Sequence, residues 1–548
     1  MERKDRQNGG MSRRGFLGLT GAALGTGVLA ACAPAPVAAP VAAPEEAPAE
    51  PAMAMHSGPI IIALRDTADD GHQKAGQDAL VAAYNAHQPD VDVIFEAPPG
   101  GITGGYHAWL TTQLAAEDIR LDIVSGVDAG TFRDYLNLDR YVSAHNPYAG
   151  KPWNEAFNFE RFKWANAKGE RYGLAAAGAE VFWYANKTML DEVGAKVPDT
   201  WTEFIDACEK LTAVVDSPIV INFTWQGHQW VSGVYFDQYH LDWVETVRAH
   251  EGDWNYDPEF DGKFVFDPDD KDIHAKYTFN GQRYFRAIRE GELRFDTDAF
   301  AEMIDNLSMA WPKYATEDFF VRSDGGYATW LQQQAAFLPS GTWALPTVDS
   351  DLKEITPERL EQLGLDESTE VETFEWAIFP FPTMEGPLVQ CRAKDVAGQG
   401  DAYVSIVKKN QEQIDRCLDF LMFWYSESGM QTYYDARLEE GWGGMGPVDV
   451  YGVSYSPERQ MLNDMVRPMG NAELNQNNWE YFSGYESWDN THVVNVKNAY
   501  KEALERKTTG AEFAQFYQQY WMDNFDDILA LKNVTHADLD NPAREPGT

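Results

Sequence analysis

Several tryptophans in this chain stand beside polar, glycine-rich turns. Trp225 and Trp230 flank a polar stretch in NFTWQGHQW, residues 222–230, and Trp442 sits in EEGWGGMG, where no periodic element claims it. The chain holds 18 Trp, 25 Tyr and 29 Phe; most must be core, yet indole is costly to bury completely, and a surplus near turns points to stacking surfaces. Charged groups occupy comparable places. Arg65 and Asp66 follow an apolar run in IIIALRDTADDG, and Asp128 follows another in LDIVSGVDAG. Flat rings meet C–H faces, while carboxylates, amides and guanidinium groups bond hydroxyl edges in pairs. A polyhydroxylated small molecule is what such a set would hold. The competing role of each loop acid is to cap the helix that follows it. For the tryptophans the competing role is core packing.

Motifs for bond-breaking chemistry are missing from the sequence. There is no His-Glu-x-x-His, no two of the 11 histidines lie three or four apart, and neither a Gly-x-Ser-x-Gly elbow nor a phosphate-binding loop occurs. DTADDG, residues 66–71, begins like a calcium loop but has Ala68 and Gln77 where oxygen ligands belong; DPDDKD, residues 267–272, lacks the turn glycine. No cofactor or metal is expected. The formal net charge of −42 argues against nucleic acid and against direct docking on anionic lipid. That acidity is spread along the chain, as a solvated surface would be, and leaves room for a cationic ligand. Of four cysteines, Cys208 and Cys417 fall in helical patterns as small core residues; with Cys391 they make three besides Cys32, too few for a complete disulfide framework.

The elements that must position these residues begin at Pro59. PIIIAL reads as a buried strand, AGQDALVAAYNAHQP as a helix, VDVIFEAPP as a strand, YHAWLTTQLAAED as a helix and LDIVSGVD as a strand. Alternation of this kind predicts an α/β fold with a parallel sheet, and ligands of such sheets sit beyond the carboxyl ends of the strands. Arg65, Asp66 and Asp128 lie at those ends. Tyr106 and Trp109 lie on a helical pattern and are assigned to the core. The body of roughly 490 residues exceeds one core and predicts two or three domains.

Upstream, residues 1–32 follow a secretory plan, with basic Arg13-Arg14, an apolar run too short and glycine-rich to span a bilayer, and small residues before Cys32. Ser12-Arg13-Arg14-Gly15-Phe16-Leu17 resembles a twin-arginine export signal, with Gly18 in place of the usual basic residue. Leu29-Ala30-Ala31-Cys32 resembles a bacterial lipobox, which implies lipidation of Cys32. Residues 33–58, rich in Ala and Pro, read as an extended spacer.

Over nearly all of residues 59–548, YHAWLTTQLAAEDIRLDIVSG included, the chain resembles the extracellular solute-binding proteins of ABC importers, in their carbohydrate-binding, maltose-binding-protein-like cluster. The signature block is RYGLAAAGAEVFWYANKTMLDEVGAKVPDTWTEFIDACEKLTA, with Ala185 inserted into the usual Tyr-Asn-Lys; Asp199 or Thr200 can cap the helix there, and Glu203 stands where a capping-box acid belongs. QQQAAFLPSGTWAL, FEWAIFPFPTMEGP, GDAYVSIVKKNQEQIDRCLDFLMFWYSESGMQTYYD and GWGGMGPVDV continue the family order. The resemblance implies two α/β lobes of the type II periplasmic-binding-protein fold, 59–173 with 399–445 and 174–398 with 446–548. They would be joined by crossings near Gly173-Leu174, Gly398-Gln399-Gly400 and 443–447. It also implies a sugar in the cleft, with Trp343 as platform, Glu180 on a lining loop, Gln399 and Asp401 beside the second crossing, and one of Trp225 and Trp230 in the cleft with the other in the core. The partners it implies are a sugar, an ABC permease and, through Cys32, the outer face of the cytoplasmic membrane or the periplasm; a monomer is expected. An exported glycoside hydrolase and a receptor for a quaternary amine are the alternatives.

Overall fold

The computed structural model describes residues 54–546 except 66, 68–70, 99–105, 117, 126–134, 160–170, 400–403, 441–447, 473–489 and 533; at 107, 108, 398, 399, 490, 491, 493 and 531 it describes the backbone alone. Cys32 and the export signal, Asp66, Asp128, Asp401, Trp442 and the crossing at 443–447 therefore lie outside the described residues.

Ten strands form among those residues: β1 Gly58–Ala63, β2 Val91–Phe95, β3 Ile123–Val124, β4 His145–Asn146, β5 Lys151–Pro152, β6 Gly178–Asn186, β7 Phe337–Gly341, β8 Trp376–Phe379, β9 Val396–Gln399 and β10 Ser405–Ile406. The alternation read from the sequence is present. Helix Gly71–Asn85 links β1 to β2, helix Tyr106–Leu114 lies between β2 and β3, and β1 pairs in parallel with both β2 and β3. β10 adds an antiparallel edge to β3, giving the order β10-β3-β1-β2. Helix Gly71–Asn85 buries Gly76, Leu80 and Tyr84, spaced as one helical face. At Gly76 an added Cβ would lie 2.5 Å from Arg437 Cγ, so glycine sets how closely this helix meets helix Glu427–Glu439.

The second sheet is built around β6, which is buried over its whole length. One edge pairs with β7, from Val181↔Gly341 to Ala185↔Phe337; the other pairs first with β9 and then with β8, all antiparallel. Successive side chains of a strand point to opposite faces. Val181, Trp183 and Ala185 accordingly enter one hydrophobic cluster, and Phe182 and Tyr184 another with Trp330 and Leu345. Because both faces are covered, the strand reads in sequence as a continuous apolar run rather than an alternation. The second helix after it, Trp201–Leu211, starts on the expected capping box. Thr200 Oγ1 accepts the Glu203 N–H at 3.3 Å, and Glu203 Oε2 accepts the Thr200 N–H at 3.3 Å.

The cores are distinct in residue content. Ile60, Ile123, Leu174, Val404, Ile406, Trp424 and Val450 share one cluster, while Val181, Val396, Trp311 and Trp521 share another. The chain passes between them at 174–181, where Leu174 bridges Val404, Gly178 pairs with Gln399 at the end of β9 and Ala177 bridges Val448. Tyr106 is buried as expected, its hydroxyl donating to the Ala63 carbonyl at 2.8 Å. Cys208 and Cys417 are fully buried free thiols, and Cys391 is half-buried.

Candidate functional site

Three of the tryptophans singled out in the sequence come together. Trp225 and Trp230, expected to divide between ligand surface and core, are both half-buried and in edge-to-face contact, ring centroids 4.7 Å apart at 77°, and Trp230 also packs against the core of the second sheet. Trp343 joins them, its centroid 5.9 Å from that of Trp230. The reason is local backbone. Residues Phe223–Val231 form a π-helix, shown by the Gly227 N–H bonding the Asn222 carbonyl five residues back at 2.9 Å. Residues five apart in such a turn stack over one another, whereas in an α-helix they point ~140° apart. Gly227 permits the tight turn: a Cβ there would sit 3.1 Å from the Asn222 oxygen and 3.3 Å from the Phe319 ring.

Trp343 follows directly from the end of β7. Its indole lies flat against Gly341, and Trp225 lies against Gly325. At Gly341 an added Cβ would enter the space of the ring, whereas at Gly325 it would only touch Trp225, at 3.4 Å. Rings in direct contact at these separations leave no space between them for a cation; they form one half-buried aromatic cluster.

Glu180 stands beside this cluster. The sequence placed it in a loop; the structure makes it the third residue of β6 and buries it, because GAEVFWYAN runs unbroken as strand from Gly178. Its N–H donates to the hydroxyl of buried Thr342, next to Trp343, at 3.4 Å. Across the pairing Glu180↔Ala397 lies Asp395, two residues before Ala397 and 2% exposed. Asp395 Oδ2 accepts the Met469 N–H at 2.9 Å, while Oδ1 has no hydrogen-bond partner. Burial pushes the Asp395 carboxyl up to about 8; the Met469 N–H pulls the other way, and the negative charge of Glu180 adds to the rise. Sequence reasoning missed Asp395 and Thr342. The sole signal was an acid directly before a crossing strand in CRAKDVAGQG.

A second buried network lies behind the same strand. Asp237, on helix Ser232–Tyr239, accepts from Lys394 Nζ at 2.8 Å and pairs with His274 Nε2 at 2.7 Å. Burial alone would raise this carboxyl, but His274 and Lys394 hold it down at about 2. Lys394 Nζ also lies 3.3 Å from Cys391 Sγ.

The remaining expected positions are dispersed. Arg65 is exposed at the carboxyl end of β1, its N–H donating to Ser125 Oγ at 3.0 Å, and Gln399 ends β9. A cavity of about 300 Å3 lies elsewhere, between helices Leu345–Lys353, Glu427–Glu439 and Pro457–Met465, and is lined by none of the sequence-predicted residues. Among the described residues no group of three or more His, Cys, Asp or Glu is placed to hold a metal ion.

A body of two α/β cores joined by adjacent crossing segments, with aromatic and carboxyl groups at one end of the second sheet, has the form of a two-lobe binding protein. The chain belongs to the bacterial extracellular solute-binding proteins, whose family pattern matches residues 70–431. It is 24% identical over 289 residues to the multiple sugar-binding protein of Streptococcus mutans, an alignment covering 52% of each chain, so it spans about half the length of that relative. Two solved structures share the fold. The cyclic α-maltosyl-1,6-maltose binding protein of Arthrobacter globiformis aligns with a TM-score of 0.52 at 14% identity, over 87% of this chain and all of the other. The maltose-bound MalE3 of T. maritima aligns with a TM-score of 0.52 at 14% identity, over 84% and 98%. The fold is thus the maltose-binding-protein-like, type II arrangement expected from the signature block.

Proposed function

We propose that the chain is the substrate-binding lipoprotein of an ABC importer, capturing a sugar, in the form of an oligosaccharide, between its lobes and delivering it to the permease. The observation that carries this reading is the contiguous surface of Trp225, Trp230 and Trp343 beside Glu180, within a solute-binding fold. Pyranose rings stack their C–H faces on such indoles and offer hydroxyls to a carboxylate. Arg65, Asp66, Asp128, Gln399, Asp401 and Trp442 complete the proposed contact set, and the S. mutans relative, named for sugar binding, supports the ligand class. The lobes are placed at 59–173 with 399–445 and 174–398 with 446–548; the separate cores support two lobes, while Leu174 and Val450 pack in the first core. Closure follows from a ligand that binds the closed state better than the open one. No reaction is assigned: membership in a family of binding proteins supports capture without chemistry. Cys32 is the membrane anchor, and the protein works as an exported monomer.

A thermal-shift panel tests this reading, with glucose, maltose, maltotriose, raffinose, betaine and choline, each sugar being recovered and analysed. At 100 times its dissociation constant a ligand stabilises by ~2.7 kcal/mol. The expected result is a large shift for one oligosaccharide, recovered intact. Cleaved sugar would replace the receptor with a hydrolase, and a shift with betaine or choline alone would keep the receptor and remove the sugar.

A further inference from the structure

We propose that Gln226 is a positioning residue of the ligand site, holding Phe223–Val231 in its π-helical register so that Trp225 and Trp230 form one surface with Trp343. The inference rests on the sugar reading for what the surface binds, but not for how it is held.

Gln226 is 1% exposed and spends its side-chain amide entirely on backbone. Its Oε1 accepts the Asn222 N–H at 2.8 Å. Its Nε2 donates to the Pro339 carbonyl at 2.7 Å and to the Gly325 carbonyl at 3.1 Å. Each contact bears on an indole. Pro339 lies in β7, two residues before the Gly341 floor of Trp343, and Gly325 is the floor of Trp225. Asn222 works in tandem: its Oδ1 accepts the N–H groups of Trp225 and Gln226 at 3.0 and 3.2 Å, and its Nδ2 donates to the Asp324 carbonyl at 3.0 Å. A π turn is ordinarily less favourable than an α turn and persists where surroundings over-determine it. Here two buried amides tie the turn to β7 and to the 324–325 loop. Without them the segment is free to relax to the α register, which carries residues five apart onto different faces and breaks the Trp225–Trp230 contact.

The test uses the full chain and two readouts. Closely coupled indoles give an exciton couplet in circular dichroism; because Trp201 and Trp311 also lie 5.7 Å apart, the Trp225–Trp230 couplet is taken as the parent spectrum minus that of Trp225→Phe, without ligand. Affinity is measured by calorimetry for whichever of maltose, maltotriose and raffinose gives the largest thermal shift. Gln226→Met is expected to lose the couplet and to weaken binding roughly tenfold or more. The control is Gln238→Met. Gln238 is an equally buried amide on helix Ser232–Tyr239 that donates to the Met384 and Cys391 carbonyls at 3.2 and 2.8 Å and touches none of the three indoles. It should lower stability comparably while keeping couplet and affinity. Gln226→Asn, an amide one carbon short, should weaken the couplet in part and decides the matter if Gln226→Met does not fold. An unchanged couplet in Gln226→Asn and Gln226→Met, or equal loss in Gln238→Met, overturns the proposal. Loss of the couplet in a protein that binds none of the three sugars would keep the positioning role and remove the sugar reading.

Discussion

Gly341→Ala would displace a ligand ring without altering any polar group. Gly341 has extended backbone angles, φ −115° and ψ −176°, so alanine costs nothing in conformation there. The conflict is with Trp343. The new methyl carbon would sit 2.1, 2.3 and 2.5 Å from three atoms of the indole. Carbon atoms rest about 3.5–4.0 Å apart, so the ring must retreat by roughly 1.5 Å. The backbone cannot yield instead, because Gly341 is paired with Val181 and its carbonyl accepts the Tyr184 hydroxyl at 2.8 Å. Trp343 is half-buried, so it has an outward path, and the stability loss should fall in the ~1–3 kcal/mol range of overpacked sites. Binding should suffer more. An indole moved off its floor no longer continues the surface of Trp230, and loss of a central aromatic contact costs about 2 kcal/mol or more, roughly thirtyfold in affinity. Calorimetry with the best oligosaccharide of the panel and a thermal melt measure the two effects separately. Gly281→Ala, whose nearest new contact is 3.8 Å away, serves as the neutral control. Unchanged affinity with a lowered melting temperature would refute Trp343 as a ligand group, and no change in either would refute the ring's packing on the strand.

Asp395→Asn should be more stable than the parent at pH 8 and converge with it near pH 4. The folded carboxyl titrates at about 8 against an ordinary value of 3.8, so over that window the folded state holds a proton that the unfolded state has lost. Parent stability therefore falls with rising pH, by at most ~1.4 kcal/mol per unit, and the amide removes that slope. Urea melts across the window check it, and a variant less stable than the parent at pH 8 would mean that the carboxyl is ionised and held. Lys394→Met should destabilise by ~3–5 kcal/mol, since it strips the ammonium from fully buried Asp237 and leaves His274 as its remaining partner. Adding Asp237→Asn should recover part of the loss; a single variant as stable as the parent would show that His274 alone suffices.

Much of the fold was legible because it obeys simple periods. The strand–helix alternation from Pro59 to Val124 and the Thr200–Glu203 box are local signals, and the structure contains both. Trp343 could be found because it directly follows a strand and a glycine. The π turn could not: a spacing of five between Trp225 and Trp230 matches neither the helical nor the strand period, so the pair read as a polar turn with its rings on different sides. Glu180 was misplaced because a strand covered on both faces and paired along both edges has no alternation to mark where it starts. Asp395 depends on contacts from Met469 and Glu180, far apart in sequence, and no local pattern encodes its burial.

The cluster that contains Val181 and Trp183 also contains Trp521 and Leu539. During synthesis at 5–20 residues per second, roughly 20–70 s separate the appearance of β6 from that of its last partners. Over that interval the helices that complete the cluster are absent, and Phe300 on helix Asp298–Ala310, which stacks on Phe513 and Tyr517 in the whole chain, is left uncovered on that side. A ribosome stalled or a gene truncated anywhere between 310 and 510 would therefore release a chain with this apolar helix face exposed, a surface for association between copies. Its safe passage depends on whatever holds nascent chains apart until the C-terminal helices arrive.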